Sequence, residues 1–138
     1  MDKKVRLTIS SEQTDTAGEK SHLDTSAEAE YFFRNGNHFL LYEEISEEGS
    51  VPVRNMLKIS GHCLEHTKKG AVDSCMVFRE GEDHRTEYRT PYGSFLFDLH
   101  THLLRCEITE SAVFLELRYA LSMNEEPLSE CHMTIRAQ

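Results

Sequence analysis

The sequence predicts an all-β protein, an antiparallel up-and-down β-barrel of about 8 to 10 strands. Three observations carry this. Apolar and polar residues alternate with period two along most of the chain. Turn signals recur between the alternating runs at near-regular spacing, as in meanders. No segment of ten or more residues carries a convincing helical stripe. Sequential hairpins without a long crossover favour a meander, and closing it into a barrel removes edge strands that invite aggregation.

The elements follow in order. Val5, Leu7 and Ile9 alternate with Lys4, Arg6 and Thr8, which marks a half-buried strand. Glu12 to Lys20 is polar, holds Gly18 and reads as a loop. A long strand runs from about His22 to Arg34 and ends at Asn35-Gly36, the pair that best accepts the positive φ of a type I′ turn. A two-residue turn there makes Phe33 face His38, Tyr31 face Leu40 and Ala29 face Tyr42. Glu47, Glu48, Gly49 and Ser50 form the next turn, and Val53, Leu57 and Ile59 mark one face of the next strand. Ser60-Gly61 turns the chain again, and Lys69-Gly70 closes a hairpin into Val72, Ser74, Met76 and Phe78. A polar turn at 80–83 contains Gly81. A strand from about His84 to Arg89 precedes Pro91-Tyr92-Gly93. Phe95, Phe97, Leu99 and Leu103 share the inner face of the strand that follows. The last two strands carry Val113, Leu115, Leu117, Tyr119 and Leu121, then Cys131, Met133 and Ile135.

A chain of 138 residues suits one domain, 1–138, with one core or one enclosed cavity. The 24 acidic residues against 15 basic ones give a net charge of -9. Lys and Arg are scattered among the acids, which argues against nucleic acid and anionic membrane surfaces as partners. Apolar runs stop at about four or five residues, against the roughly 20 of a membrane-spanning helix. The opening MDKKVRLTIS has no signal-peptide core, so a cytoplasmic protein is expected. Cys63, Cys75, Cys106 and Cys131 form no CxxC motif, and in a reducing compartment four free thiols are the default. Cys63 and Cys75 would lie opposite each other only if the hairpin at Lys69-Gly70 had a three-residue loop.

Three motifs resemble a known family: Leu41-Tyr42-Glu43-Glu44, Thr90-Pro91-Tyr92-Gly93-Ser94-Phe95 and Leu117-Arg118-Tyr119-Ala120-Leu121, in that order and over essentially the whole chain. They look like the YwiB-like family of small bacterial proteins, a domain of unknown function with a calycin-like, or lipocalin-like, barrel. The resemblance implies a bacterial origin and an antiparallel barrel, and it carries no activity over.

Asp98, His100 and His102 are the sharpest chemical signal. At i, i+2 and i+4 on a strand they share a face and could hold a metal for assisted catalysis. If Phe95, Phe97 and Leu99 point inward, however, the triplet faces solvent. Glu43 and Glu44 point to opposite faces and cannot form a glycosidase dyad. His62 and His66, sharing a strand face with Leu64, suit an exposed hairpin. No catalytic residue and no cofactor follow from this pattern, and an enzyme is not expected.

The inward face is more informative. Tyr31, Tyr42 and Glu44 join Asn55, Ser74, Thr101 and Tyr119 there, mixing polar groups into apolar walls. Small-molecule sites have that character, so Tyr31, Tyr42, Glu44, Asn55 and Tyr119 are the candidate lumen ligands' contacts. The expected function is non-enzymatic binding of a small, partly apolar molecule in the lumen. The alternative is a filled barrel that works through its exterior, and a homodimer is compatible with both.

The charge pattern also sets solubility. If all eight histidines are exposed, protonating them takes the formal charge from -9 toward -1 near their usual pKa of about 6.5, before carboxylates titrate. Turbidity against pH is expected to peak around the sequence pI of 5.3, where self-repulsion vanishes.

Overall fold

The computed structural model describes residues 3–44 and 52–138. Ten strands alternate with tight connections: β1 (Lys3–Asp15), β2 (Lys20–Arg34), β3 (Asn37–Glu44), β4 (Val53–Ser60), β5 (Cys63–Gly70), β6 (Ser74–Arg79), β7 (Asp83–Thr90), β8 (Gly93–Ile108), β9 (Val113–Met123) and β10 (Glu126–Ala137). All pairings are antiparallel, in the order β6-β5-β4-β3-β2-β1-β10-β9-β8-β7. Each strand thus neighbours its sequence neighbours except at β6/β7, and β1 joins β10 to carry the meander round. The β6/β7 seam holds a single bridge, Asp73 to Arg89, with N–H···O distances of 3.0 and 2.9 Å. Beside it the turn after β6 docks on β8: Gly81 N–H donates to Thr101 O at 2.8 Å, and Thr101 N–H to Glu82 O at 3.1 Å. The result is a nearly closed up-and-down barrel.

Alternation decides what the barrel contains. Leu7, Leu40, Leu57, Ile59, Leu64, Leu99, Leu115, Leu117 and Ile135 are all less than 2% exposed and form one inner cluster. Burying each such side chain is worth about 1.5–3 kcal/mol, so the inward stripes supply most of the drive to close. Phe78 meets the Tyr119 ring edge-on at 5.0 Å. Thr101 is fully buried beside them, with no hydrogen-bond partner for its hydroxyl among the described residues.

The structure revises several local expectations. The polar stretch after Ile9 remains strand to Asp15 because β1 is bonded on both edges, to β2 and β10. The loop shrinks to 16–19, where Asp15 Oδ1 accepts from Ala17 N–H and Glu19 N–H, both at 2.9 Å. The turn between β4 and β5 is centred on Gly61-His62, with Ser60 opposite Cys63, so His62 is not on a strand. β5 and β6 are joined through 71–73, and Val72 lies in that connection. Cys63 therefore faces Arg79 and Cys75 faces Thr67, and all four cysteines are free. On β8 an extra residue, His102, sits between the Thr101–Tyr119 and Leu103–Arg118 pairs. Such a bulge reverses the phase of everything after it, so Leu104, Cys106 and Ile108, rather than Leu103, pack on the core. The turn expected at Glu47, Glu48, Gly49 and Ser50 lies outside the described residues.

The Asn35-Gly36 turn and the register beside it stand as expected, but pairing stops at Glu30–Leu41, so Ala29 and Tyr42 are not partners. Asn35 has φ of 54° and Gly36 of 79°, and Arg34–Asn37, Phe33–His38 and Tyr31–Leu40 are partners. A Cβ on Gly36 would meet nothing within 4 Å, so a substitution there is penalised by backbone strain alone. Gly36→Val is expected to lower stability by about 1 kcal/mol or more, and Gly36→Asn by less, in urea denaturation of the two variants.

Candidate functional site

The polar groups on the inner face gather at one end of β3–β6. Tyr42, Asn55, Lys68 and Ser74 are successive cross-strand partners. The row below them is Leu40, Leu57, His66 and Met76, so the barrel turns from apolar to polar within one pleat. Asn55 is 2% exposed and fully engaged: its Nδ2 donates to Val53 O at 3.3 Å, and its Oδ1 lies 2.7 Å from His66 Nε2. With Asn55 Oδ1 accepting, the His66 proton sits on Nε2. Burial, and then the nearby Lys68 ammonium, push the His66 imidazolium down to about 3, so the ring is neutral at neutral pH. Lys68 Nζ in turn donates to Glu44 Oε1 at 3.1 Å. Burial, helped by the Glu44 charge, holds the Tyr42 phenol well above its usual range.

Behind this row the sheet splits. β3 pairs with β2 only over 30–34, and the rest of β2 runs on with β1 alone. A cleft of about 870 Å³ opens in the gap, with Ala27, Ala29, Leu41, Tyr42 and Met56 on its walls. Lys4, Glu28, Glu30, Glu43, Arg54 and Lys69 charge its rim. Lys4 is tied to Glu28 at 3.3 Å. Arg54 and Lys69 lie directly opposite each other across β4–β5.

The predicted contact residues do not converge on one site. Tyr42 and Asn55 line the cleft, and Glu44 closes the polar row through Lys68. Tyr31 points inward at the other end of β3, its hydroxyl 2.7 Å from His38 Nδ1, beside a small crevice of about 100 Å³. Tyr119 is packed in the core against Phe78 and reaches neither opening; burial raises its phenol pKa, with Cys131 adding to the effect. His66, expected on an exposed hairpin face, points inward. Its place two residues from buried Leu64 was the available signal.

The triplet on β8 faces outward, and each member has its own partner. Arg85 grips Asp98 through two contacts, at 2.8 and 3.3 Å, and lowers its pKa. His100 Nδ1 lies 2.6 Å from Asp83 Oδ1, and His102 Nε2 lies 3.2 Å from Glu130 Oε2. Among the described residues no three His, Cys, Asp or Glu side chains are placed to hold a metal ion.

These features define a small ten-stranded antiparallel barrel with a packed interior and a cleft where its sheet divides. The chain belongs to the family described as a domain of unknown function, DUF1934, which it matches over residues 7–135. Its backbone is similar to the crystal structure of the ywiB protein from Bacillus subtilis, with a TM-score of 0.89 and 18% identity, covering 99% of this chain and 92% of that one. At that identity the likeness shows the fold alone. No curated protein matches the sequence.

The His66 site gives a pH signature. An unfolded histidine binds a proton below about 6.5, whereas folded His66 stays neutral down to about 3. The unfolded state therefore binds more protons across that window. The contribution of His66 is complete above it and is lost as pH falls, by about 1.4 kcal/mol per unit. His66→Gln is expected to be less stable than the wild type at pH 7 but to lose less stability between pH 6 and 4, in urea denaturation at several pH values.

Proposed function

We propose that the protein is a non-enzymatic binding module that takes a small amphipathic molecule in the cleft between β2 and β3–β5. One observation carries this: the cleft is the roomy part of a molecule whose lumen is filled by leucine and isoleucine. Its volume falls in the usual range for small-molecule sites, about 300–1,000 Å³. Ala27, Ala29, Leu41 and Met56 suit an apolar body. Arg54 stands between Glu43 on β3 and Lys69 on β5, so the row presents charges of both signs to the polar end of a ligand. The polar groups nearest the cleft favour holding over turnover, since Asn55 and His66 are spent on each other. The net charge of -9 disfavours nucleic acid. The four free thiols suit the reducing cytoplasm of a bacterial cell. Among the described residues no helix is long and apolar enough to cross a membrane.

The second reading is a filled barrel that acts through its surface. It is favoured by the packed interior and by Tyr92, Phe95 and Leu96, which are exposed together at the β7–β8 hairpin. Titration with an environment-sensitive apolar dye and with a medium-chain fatty acid separates the two. Saturable, stoichiometric binding is expected, with native near-UV circular dichroism throughout. Ala27→Phe, which fills the cleft, is expected to weaken binding about tenfold, equivalent to about 1.4 kcal/mol, and Tyr119→Phe to leave it unchanged. The reverse pattern places the ligand in the lumen, and no saturation leaves the surface reading.

A further inference from the structure

Beyond the cleft, β2 has an edge without a strand partner among the described residues. β1 covers its other edge as far as Lys20, and β10 pairs with β1 as far as Asp15–Ser129. The three strands β2-β1-β10 therefore project together, with β2 outermost. Residues 20–24 are exposed on both faces, and Leu23 is 65% exposed. Hydrogen bonding along β2 is settled by the turn before it, where Asp15 N–H donates to Glu19 O at 2.9 Å. Odd-numbered residues of β2 therefore bond toward β1, and even-numbered ones, Lys20 to Ser26, direct their N–H and C=O groups outward. An unpaired row of this kind is a template for another strand.

We propose that this edge is a self-association surface, on which two copies of the chain pair β2 to β2, antiparallel, about a two-fold axis at Leu23. The edge carries a charge polarity that complements itself when reversed: Lys20 and His22 at its start, Asp24 and Glu28 further on. Each already touches a partner in its own chain, Lys20 with Glu12 at 3.7 Å, His22 with Asp24 at 2.9 Å and Glu28 with Lys4 at 3.3 Å, and these exposed pairs are shared with the second strand. Backbone direction requires even residues to oppose even ones, which leaves dyads only at single residues. A dyad at Leu23 sets His22 against Asp24 twice, Lys20 against Ser26 with Glu28 diagonal to it, and Leu23 against its own copy. A dyad at Asp24 would oppose two carboxylates. A dyad at Thr25 would carry Lys20 onto Glu30, whose edge is already paired with Leu41 of β3. A dyad at His22 would set Lys20 against Asp24 but place the two imidazoles on each other and Leu23 against Ser21. The Leu23 register stays on the free part of the edge, matches every opposed charge and pairs Leu23 with its own copy. It makes about eight backbone hydrogen bonds and buries Leu23, the more exposed of the two large aliphatic side chains, Leu23 and Leu96, that stand out among the described residues. The ladder ends at Ser26, so most of the cleft stays open.

Because Leu23 is an odd residue, its pair is of the non-hydrogen-bonded kind. The Cα atoms then lie about 4.5 Å apart, within disulfide reach. Light scattering and sedimentation of the full chain over a range of concentrations are expected to show a species of twice the 15.9 kDa chain mass. Leu23→Lys is expected to raise the dissociation constant at least about tenfold, with circular dichroism unchanged and melting unchanged at concentrations low enough for both chains to be monomeric. Leu23→Cys is expected to form an interchain disulfide at position 23 on mild oxidation, mapped by peptide mass, and Thr25→Cys not to do so. A wild-type chain that is monomeric at every concentration overturns the proposal. So does a dimer that Leu23→Lys leaves intact and Leu23→Cys does not cross-link.

Discussion

Fifteen residues of β2 need a partner on each edge, and β3 pairs with only five of them. The rest of the molecule accommodates that mismatch. β1 can follow β2 almost to its end because β10 supports it from the other side, which builds a broad sheet of long strands. β3 to β6 are short, of eight, eight, eight and six residues, and curl inward to close the barrel. The two regions part at Ala29, the last small inner residue of β2 before the paired segment. The same mismatch arises between β7, with eight residues, and β8, with sixteen, and is resolved differently. There the turn after β6 folds back onto Thr101, and the bulge at His102 re-aims the remainder of β8 to the core.

How far the sequence tells this story depends on the physical range of each feature. Strand identity and inner face are local, and Val5, Leu7, Leu57, Ile59, Leu115 and Leu117 announce them by period two. The hairpin at Asn35-Gly36 is local as well, since two residues fix its register. The bulge is not local: nothing in His102 itself distinguishes an inserted residue from a paired one, and Leu103 and Leu104 are equally apolar. Nor is the turn after Met123, where Asn124 and Glu125 both take positive φ without a glycine to signal it. The cleft is the least legible, because it exists through the unequal lengths of β2 and β3 and not through any motif. Tyr42 and Asn55 were visible as inward polar residues; that Tyr119 is locked in the core and Tyr31 lies at the other end depends on how the ten strands stagger.

The polar row at the barrel mouth has its own logic. A buried amide or imidazole costs free energy unless each donor and acceptor is met. Asn55 is therefore a register device as much as a lining residue. If β4 slid by one residue against β5, Asn55 would turn outward, and His66 would keep a buried nitrogen without its acceptor. Lys68 and Glu44 extend the same control across β3 to β5 at a less buried point, where solvent screening makes each pair weaker. The apolar rows below are more forgiving, because leucine and isoleucine can exchange neighbours at small cost.

The free edge and the cleft share a cause but invite different occupants. An edge offers a row of directional donors and acceptors that only another extended backbone satisfies in full. The cleft beyond Ser26 offers side chains on diverging strands, which suit a compact molecule. Charge then selects among strands. Copies of a chain with net charge -9 repel at a distance, but salt screens that repulsion beyond about 8 Å. At contact the local pattern decides, and the basic start of β2 meets its acidic continuation only when the second strand runs antiparallel and in register. A foreign strand without that polarity gains the same backbone hydrogen bonds but adds no cross-strand charge pair to the contacts that Lys20, His22 and Asp24 already make within the chain, so the edge favours its own copy.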